Sequence, residues 1–263
     1  MIPTLIHLLK SPVATQRDLF PDIPEFSRGL PCLTSNRCQA DAGCKACVES
    51  CPTDAITVAP TEGNGAVSLD LGRCIACGEC MTVCPTGTIS ANRRTKVATR
   101  SREALILSNQ IGRREPVDRP PASPFRRSIH LREVSTGDNA SDLEVAAANN
   151  PIFDSSRFGI HFVASPRFAD ALIVTGPVGK AMQEPLRRCY EAMAEPRLVI
   201  AVGASAISGV PHCGSYAEAN GVDAILPVAV YVPGHPSHSW YILHGILLAM
   251  GYPAAEITSK ESG

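Results

Sequence analysis

Aromatic residues are scarce in this chain, which has a single tryptophan and an aromatic content of 5%. Proteins that bind single-stranded nucleic acid stack the bases on aromatic side chains, so this scarcity argues against that class of protein. The formal net charge is −1, which gives no overall excess of positive charge for a polyanion. The composition therefore predicts no nucleic-acid partner.

The sequence also lacks an apolar run long enough to span a membrane. Its first ten residues, MIPTLIHLLK, are largely apolar, but a membrane helix needs about 20 residues, and no signal-peptide pattern follows. Residues 1–10 predict a short amphipathic helix that either packs on its own domain or rests on a membrane subunit or a lipid surface. Since neither a phosphate-binding loop nor a nucleophile with its base is evident, we do not expect catalysis by this chain alone.

Cysteine, in contrast, is abundant and clustered, with nine of the eleven cysteines at residues 32–84. One group reads Cys38-x5-Cys44-x2-Cys47-x3-Cys51-Pro52, and the other reads Cys74-x2-Cys77-x2-Cys80-x3-Cys84-Pro85. Proteins with two 4Fe–4S clusters have this spacing: three close thiolates bind one cube, and the cysteine before proline binds the other cube. The spacing predicts two ligand sets: Cys38, Cys44, Cys47 and Cys84 for the first, and Cys74, Cys77, Cys80 and Cys51 for the second.

The two groups form an internal repeat, in which six residues recur 33 positions later: Cys44, Cys47, Cys51, Pro52, Thr53 and Ile56. Zinc is the alternative metal, because paired Cys-x2-Cys units bind it. Two such pairs already satisfy zinc, so the two crossing Cys-Pro ligands argue against it. Disulfides fit less well, because eight cysteines this close would form strained bridges and nothing indicates an oxidising compartment. Cys32 is surplus to the motifs, and we expect a small buried hydrophobic side chain there rather than a ligand.

Composition divides the chain into four parts. Residues 1–92 contain the cluster motifs, with short strands predicted at 55–58 and 66–69 around the turn sequence TEGNG. Residues 93–133 are basic and rich in proline, which predicts a linker that is either a solvated face or an arm over an acidic subunit surface. Residues 134–254 predict an α/β domain, and residues 255–263 form a tail.

The α/β prediction rests on alternation between buried strands and helices. Apolar runs predict strands at 158–164, 169–175, 198–202 and 224–230, and the segments between and after them predict helices at 180–194 and 240–250. Alternation of this kind predicts a parallel sheet, because strands buried on both faces read as continuous apolar runs. The loops that follow such strands gather at one edge of the sheet.

Two parts of the chain resemble known protein families. Residues 11–92 resemble the two-cluster ferredoxin-like (TYKY) subunit of respiratory complex I and of formate hydrogenlyases, through PDIPEFSRGLP and the cysteine motifs. Residues 134–254 resemble the 20 kDa PSST subunit of complex I and the small subunit of energy-converting NiFe hydrogenases, through DSSRFGIHFVASPRFADALIVTGPV, EPRLVIAVG and GVDAILPVAVYVPG. The resemblance implies an α+β ferredoxin-like two-cluster domain followed by an α/β domain with a parallel sheet, flavodoxin-like and of the PSST type.

The resemblance also implies a role in electron transfer. In those complexes, electrons pass along the ferredoxin-like cubes to a terminal cube in the PSST-like subunit, and then to quinone or to a NiFe centre in a large subunit. The implied partners are a hydrogenase-like or complex I-like large subunit and membrane subunits, on the cytoplasmic, inner face of the cell membrane. Two alternatives stay open: a structural or assembly subunit whose clusters mainly stabilise it, and a soluble two-cluster ferredoxin with a ligand pocket near Gly176 and Gly203.

The cysteines that hold the terminal cube in the family are missing here. The resemblance puts their positions at Asp138, Ser141, Ser205 and His235. Four replaced thiolates leave no soft ligands for iron, so we expect two 4Fe–4S clusters and no third. We expect the vacated space to contain a hydrogen-bonded polar cluster, with Asp138 and His235 as its charged pair.

Two cysteines remain in the second half of the chain. Cys189 is expected to pack within a helix. Cys213, with His212 and His235, is an alternative small metal site, although loop or core residues are the simpler interpretation of all three.

Overall fold

Two small antiparallel sheets form the N-terminal part of the protein. The structure, a computed structural model, describes residues 10, 19–34, 38–59, 66–109, 123–137 and 140–253. One sheet pairs β1 with β4, and the other has the order β2-β3-β5. These strands are β1 (Leu30–Leu33), β2 (Ile56–Ala59), β3 (Ala66–Asp70), β4 (Ile89–Asn92) and β5 (Ile106–Ser108). Two short helices, α1 (Ala46–Glu49) and α2 (Glu79–Val83), follow the cysteine-rich loops.

The C-terminal part is built on a five-stranded parallel sheet of order β10-β9-β8-β6-β7, which confirms the predicted parallel sheet. This is the flavodoxin-like order of a doubly wound sheet. The strands are β6 (Ile129–Ser135), β7 (Ile160–Phe162), β8 (Ala171–Thr175), β9 (Leu198–Val202) and β10 (Val230–Val232). The helices are α3 (Ser141–Ala147), α4 (Lys180–Glu191), α5 (Ala204–Ser208) and α6 (Ser239–Ala249).

Apolar patterning explains why the sheet and α6 form the core of this part. All five residues of β8 are buried, as expected of a parallel strand covered on both faces. Helix α6 is apolar around its circumference and all 11 of its residues are buried, which is the behaviour of a helix inside a core. Among the helices that the structure describes, none has the length and apolar character needed to cross a membrane.

The predicted strand at 224–230 is wrong. A 3-10 turn covers Val222–Ala224, and β10 starts only at Val230. The reason is Pro227, which has no backbone N–H to donate to a neighbouring strand and is excluded from the middle of a sheet. The turn TEGNG and the predicted N-terminal helix at 1–10 lie, except for Lys10, outside the described residues.

The segment after β4 differs from a free linker, because it joins the two parts of the protein. Thr99 forms an antiparallel bridge with Tyr231 on the edge strand β10, with N–H to O distances of 3.0 and 2.8 Å. Arg102 makes a two-bond ion pair with Asp70 on β3, at 2.8 and 2.6 Å, and donates to the Ser208 hydroxyl on α5 at 3.0 Å. The range 93–133 therefore contains β5, the start of β6 and these joining contacts, while residues 110–122 lie outside the described residues.

His244 on α6 holds the same segment from inside the core. Its Nδ1 accepts a hydrogen bond from the Ala98 N–H at 3.1 Å, and the residue is 4% exposed. Burial, together with the positive charges of Lys96 and Arg100, lowers the pKa of His244 to about 3. The folded protein therefore keeps this imidazole neutral and its Nδ1 free to accept the bond.

We predict that acidification destabilises the fold through His244. The ordinary pKa of histidine is 6.5, so below that pH His244 of the unfolded chain binds a proton. In the folded chain His244 stays neutral down to about pH 3. The stabilisation is complete above pH 6.5 and falls by up to about 1.4 kcal/mol per pH unit as the pH drops through this window. The free energy of unfolding in urea, measured from about pH 7.5 to about pH 5.5, should fall less steeply in His244→Gln, whose amide oxygen can accept the Ala98 bond. The exposed His161, changed to Gln, is the matched control, and equal slopes in all three proteins would contradict the prediction.

Candidate functional site

The eight cysteines of the two motifs line two separate cavities. The first cavity is bordered by Cys38, Cys44, Cys47 and Cys84, and the second is bordered by Cys51, Cys74, Cys77 and Cys80. Each cavity takes three thiols from one loop and its fourth thiol from the other half of the repeat. The structure thus brings these cysteines together in the two groups of four that the spacing predicts, while their role as ligands stays a prediction.

Tight turns aim the thiols of the second loop. Ala76 and Gly78, which flank Cys77, have φ angles of +54° and +87°, a left-handed conformation that side chains other than glycine rarely adopt. The bend lets the Ala76 N–H donate to the Cys74 sulfur at 3.4 Å. A backbone strained in this way persists where a site requires it.

The two crossing cysteines have matching surroundings. Cys51 and Cys84 each precede a proline, and each has a threonine hydroxyl near its sulfur, Thr53 at 3.8 Å and Thr86 at 3.7 Å. The Ala55 N–H also donates to the Cys51 sulfur at 3.3 Å. Hydrogen bonds to sulfur set the potential of an iron–sulfur cluster. Sequence reasoning gave these threonines no role, although the phrase Cys-Pro-Thr in both halves of the repeat was the signal.

Burial decides the ionisation of the thiols. It raises the pKa of Cys74 to about 12 and that of Cys80 to about 11, and it also raises the pKa of Cys47. For Cys84, burial raises the pKa less than hydrogen bonds from Ile89, Thr86 and Thr88 lower it, so the net shift is downward. Most of the buried thiols therefore need a metal in place of the proton to become thiolates at neutral pH.

The shape of each cavity suits a multi-iron group. Four zinc ligands converge on one point at about 2.0–2.3 Å, whereas a cube takes one thiolate at each of four corners. Here four thiols line each cavity, and N–H groups are directed at two sulfurs of the second. In the described part of the chain, no three of these thiols are grouped as a single metal ion requires. The donor set and its spread therefore fit an iron–sulfur cluster better than one zinc ion.

Three of the four positions at which the resemblance expects a terminal-cube cysteine, Ser141, Ser205 and His235, follow strands at the carboxyl edge of the parallel sheet. Ser141 begins α3, Ser205 lies in α5, and both are fully buried. The Ser141 hydroxyl accepts a hydrogen bond from the Ser237 N–H at 3.2 Å, and the Ala204 N–H donates to the Gly234 carbonyl at 2.8 Å. These bonds join α3 and α5 to the loop that contains His235. Asp138 lies outside the described residues, so the predicted pair of Asp138 and His235 is not described.

Further hydrogen bonds close the same edge of the sheet. The Ser239 hydroxyl donates to the Glu144 carboxylate at 2.6 Å, joining α6 to α3, and the Thr136 hydroxyl donates to the Pro177 carbonyl at 2.6 Å. Gly176 packs so closely on Gly137 that a Cβ there would lie 1.9 Å from the Gly137 oxygen. Backbone therefore fills the space beside Gly176 where the ligand-binding alternative expects a pocket.

Glu133 is the charged group of this edge that sequence reasoning missed. Its Oε1 is buried with no hydrogen-bond partner among the described residues. Burial, and then the negative charge of Asp142, raise the pKa of Glu133 to about 7. The sequence does not indicate that Glu133 is buried. The apolar and polar alternation of β6 does not show which side chains pack over this glutamate.

The remaining cysteines stand apart from the two cavities. Cys32 is buried on β1, with its sulfur 3.6 Å from the Ser90 hydroxyl, Cys189 is partly buried on α4, and Cys213 is exposed. In the described ranges, no three histidine, cysteine, aspartate or glutamate side chains form a group that could hold a single metal ion. The alternative site of Cys213, His212 and His235 is therefore not formed.

Comparison with known proteins matches both halves of the chain. Residues 31–88 match the family described as the 4Fe-4S dicluster domain, and residues 139–249 match the family described as the NADH ubiquinone oxidoreductase, 20 Kd subunit. Formate hydrogenlyase subunit 7 of Escherichia coli (strain K12) is 37% identical over 140 residues, which are 53% of this chain and 55% of that protein. The chain therefore spans about half the length of that relative.

Two further relatives come from archaeal sources. The probable membrane-bound hydrogenase subunit mbhJ of Pyrococcus furiosus is 42% identical over 125 residues, which are 47% of this chain and 75% of that protein. A solved structure of the membrane-bound sulfane sulfur reductase, an archaeal respiratory membrane complex, is similar with a TM-score of 0.45 and 27% identity, over 48% of this chain and 70% of that chain. The five-stranded parallel sheet lies in the part of the chain that matches three quarters of a hydrogenase subunit. An iron–sulfur dicluster domain precedes that part within the same chain. This chain therefore belongs to the family of NADH ubiquinone oxidoreductase 20 Kd subunits and membrane-bound hydrogenase subunits.

Proposed function

We propose that this chain is an iron–sulfur electron-transfer subunit of a membrane-associated oxidoreductase complex related to formate hydrogenlyase and complex I. The observation that carries the proposal is the division of eight cysteines into two cavities of four thiols. A bound cluster supplies a one-electron couple. The match to a dicluster domain over residues 31–88 supports the same function.

The chain's own residues hold and insulate the two clusters. The first cluster would be bound by Cys38, Cys44, Cys47 and Cys84, and the second by Cys51, Cys74, Cys77 and Cys80. Apolar side chains that line the cavities, such as Ile56 and Leu69 in the second and Val67 in the first, exclude water from the sulfurs. The N–H groups of Ala55 and Ala76 stabilise negative charge on sulfur.

The α/β domain acts as a docking scaffold that has lost its own cluster. Serines stand at two of the family's ligand positions, Ser141 and Ser205, and the bond from Ser237 to Ser141 uses the space for packing instead of metal binding. Electrons that reach the second cavity then continue to a redox centre of a partner. The proposed partners are a hydrogenase-like or complex I-like large subunit and membrane subunits, because the similar proteins are named as subunits of formate hydrogenlyase and of a membrane-bound hydrogenase.

The proposal also covers organisation and location. Residues 1–92 form the cluster domain, 93–133 the connection, 134–254 the α/β domain and 255–263 the tail. The chain would lie on the cytoplasmic face of the cell membrane as part of the complex, with residues 1–10 as the point of peripheral membrane contact.

A structural or assembly role is the second candidate, and one observation favours it. Cys47 and Cys80 are packed into the hydrophobic core, so clusters bound there would also stabilise a small domain. An electron relay requires each cluster to accept and release an electron reversibly, whereas a cluster that only stabilises the fold does not need to. Reversible reduction of both clusters near the potential of the partner therefore separates the two functions.

We predict that the anaerobically purified protein contains about eight irons and about eight sulfides per chain. Iron and sulfide analysis, together with electron paramagnetic resonance during a redox titration, should show two interacting reduced clusters. About twelve irons would contradict the proposal, because the α/β domain would then hold a cluster through ligands other than cysteine.

The crossing ligands provide a sharper test. Cys51 belongs to the first loop, yet Cys51→Ser should remove or alter the same resonance signal as Cys77→Ser, while Cys84→Ser should affect the other signal. In each variant, iron should fall from about eight towards about four per chain. Cys213→Ser, at an exposed cysteine outside both cavities, is the matched control and should keep its iron. Loss of different signals in Cys51→Ser and Cys77→Ser would overturn the assignment.

A further inference from the structure

An arginine from outside the cysteine motifs contacts the second cavity. Arg28 lies in the loop before β1, and its Nη1 donates to the Cys77 carbonyl at 2.5 Å across 49 positions of sequence. Cys77 borders the second cavity. A positive charge is thus fixed on the outer side of the loop that supplies three of the four thiols.

Gly78 makes room for this arginine. It starts α2 with a φ of +87°, and a Cβ there would lie 3.1 Å from the Arg28 Cδ. In the repeat, Gly78 corresponds to Lys45, which precedes α1 with a φ of −128° rather than a left-handed backbone. At this position of the repeat the first loop has a lysine, whereas the second loop has a glycine beside an arginine from a distant segment.

Burial makes this charge consequential. Two thiols of the second cavity are buried, Cys74 at 8% and Cys80 at 7% exposure, whereas Cys47 is the buried thiol of the first. Reduction adds negative charge to a cluster, which burial disfavours and a nearby cation favours. Arg73, which precedes Cys74, donates to the Thr53 carbonyl at 3.1 Å, so Arg28 adds a further positive charge to the site that burial makes the harder one to reduce.

We propose that Arg28 raises the reduction potential of the cluster in the second cavity relative to that in the first, so that electrons move into the second cavity. This inference rests on the proposed function. Arg28 is not a ligand: it acts through its charge and by holding the Cys77 carbonyl. The second cavity is also the one beside the α/β domain, because Asp70, four residues before Cys74, is joined to Ser208 of α5 through Arg102.

The test compares charge-removing and charge-keeping variants. Arg28→Gln removes the charge, Arg28→Lys keeps it, and Arg93→Gln is the matched control. Arg93 is anchored to the same loop, with its Nη2 3.3 Å from the Glu25 carbonyl and 3.4 Å from the Glu25 carboxylate. Each purified protein is titrated anaerobically and followed by electron paramagnetic resonance, with the second cluster identified as the one lost in Cys77→Ser.

In Arg28→Gln, we expect the reduced-to-oxidised ratio of the second cluster at a fixed potential to fall by about threefold to tenfold, tenfold being about 59 mV for one electron. The first cluster should stay unchanged, Arg28→Lys should retain most of the wild-type potential, and Arg93→Gln should match wild type. An unmoved second cluster, an equal shift in both clusters, or an equal shift in Arg93→Gln would overturn the proposal.

The dependence of the two potentials on salt is a second test of the charge of Arg28. Raising the salt from about 0.05 M to about 1 M shortens the screening length and weakens an exposed cation, so the potential gap between the clusters should shrink more in wild type than in Arg28→Gln. An equal salt response in the two proteins would contradict a charge effect. If Arg28→Gln does not assemble, the wild-type protein and Arg28→Lys are compared instead. A potential gap that does not change with salt in either of them would then contradict the proposal. Missing iron or irreversible reduction in wild type would instead refute the proposed function itself.

Discussion

The exchange of thiols between the two loops is the constraint on which the cluster domain depends. Neither loop completes its own cavity, because Cys51 lies on the second cavity and Cys84 on the first. Each half of the repeat therefore needs the other half to be folded. Buried thiols with raised pKa values add to this dependence, since Cys74 and Cys80 become thiolates only when metal replaces the proton. Folding of this small domain and binding of its clusters are coupled for that reason.

The same constraint extends into the α/β domain through a few polar contacts. Asp70 ends β3 just before the second cysteine loop and receives two hydrogen bonds from Arg102, which also reaches Ser208. Thr99 extends the parallel sheet at β10, and His244 holds the neighbouring Ala98. A basic segment that looks like a linker in composition therefore fixes how the second cavity faces the sheet.

Polar contacts join the segments in which the resemblance expects the terminal-cube cysteines. Buried polar groups need hydrogen-bond partners where no cluster fills the space. Here the Ser141 hydroxyl accepts a hydrogen bond from the Ser237 N–H, and the Ser239 hydroxyl donates one to the Glu144 carboxylate. The loops around these positions are thus held by direct hydrogen bonds between protein groups. Among the described residues of this edge, Glu133 Oε1 and Thr175 Oγ1 are buried without a hydrogen-bond partner.

The sequence by itself determined the chemistry of the first domain and the topology of the second. Thiol spacing divides eight cysteines into two groups because the reach of a short loop is limited, and continuous apolar runs specify buried parallel strands such as β8 and β9. The strand predicted at 224–230 was wrong, because that prediction relied on apolar character and neglected Pro227. Only the tertiary structure decided what lies between distant segments: Arg28 on the Cys77 loop, Arg102 between Asp70 and Ser208, and Ser141 against Ser237. Such contacts join residues far apart in the chain, and a single charged or polar residue carries no periodic signal of the partner that it will meet.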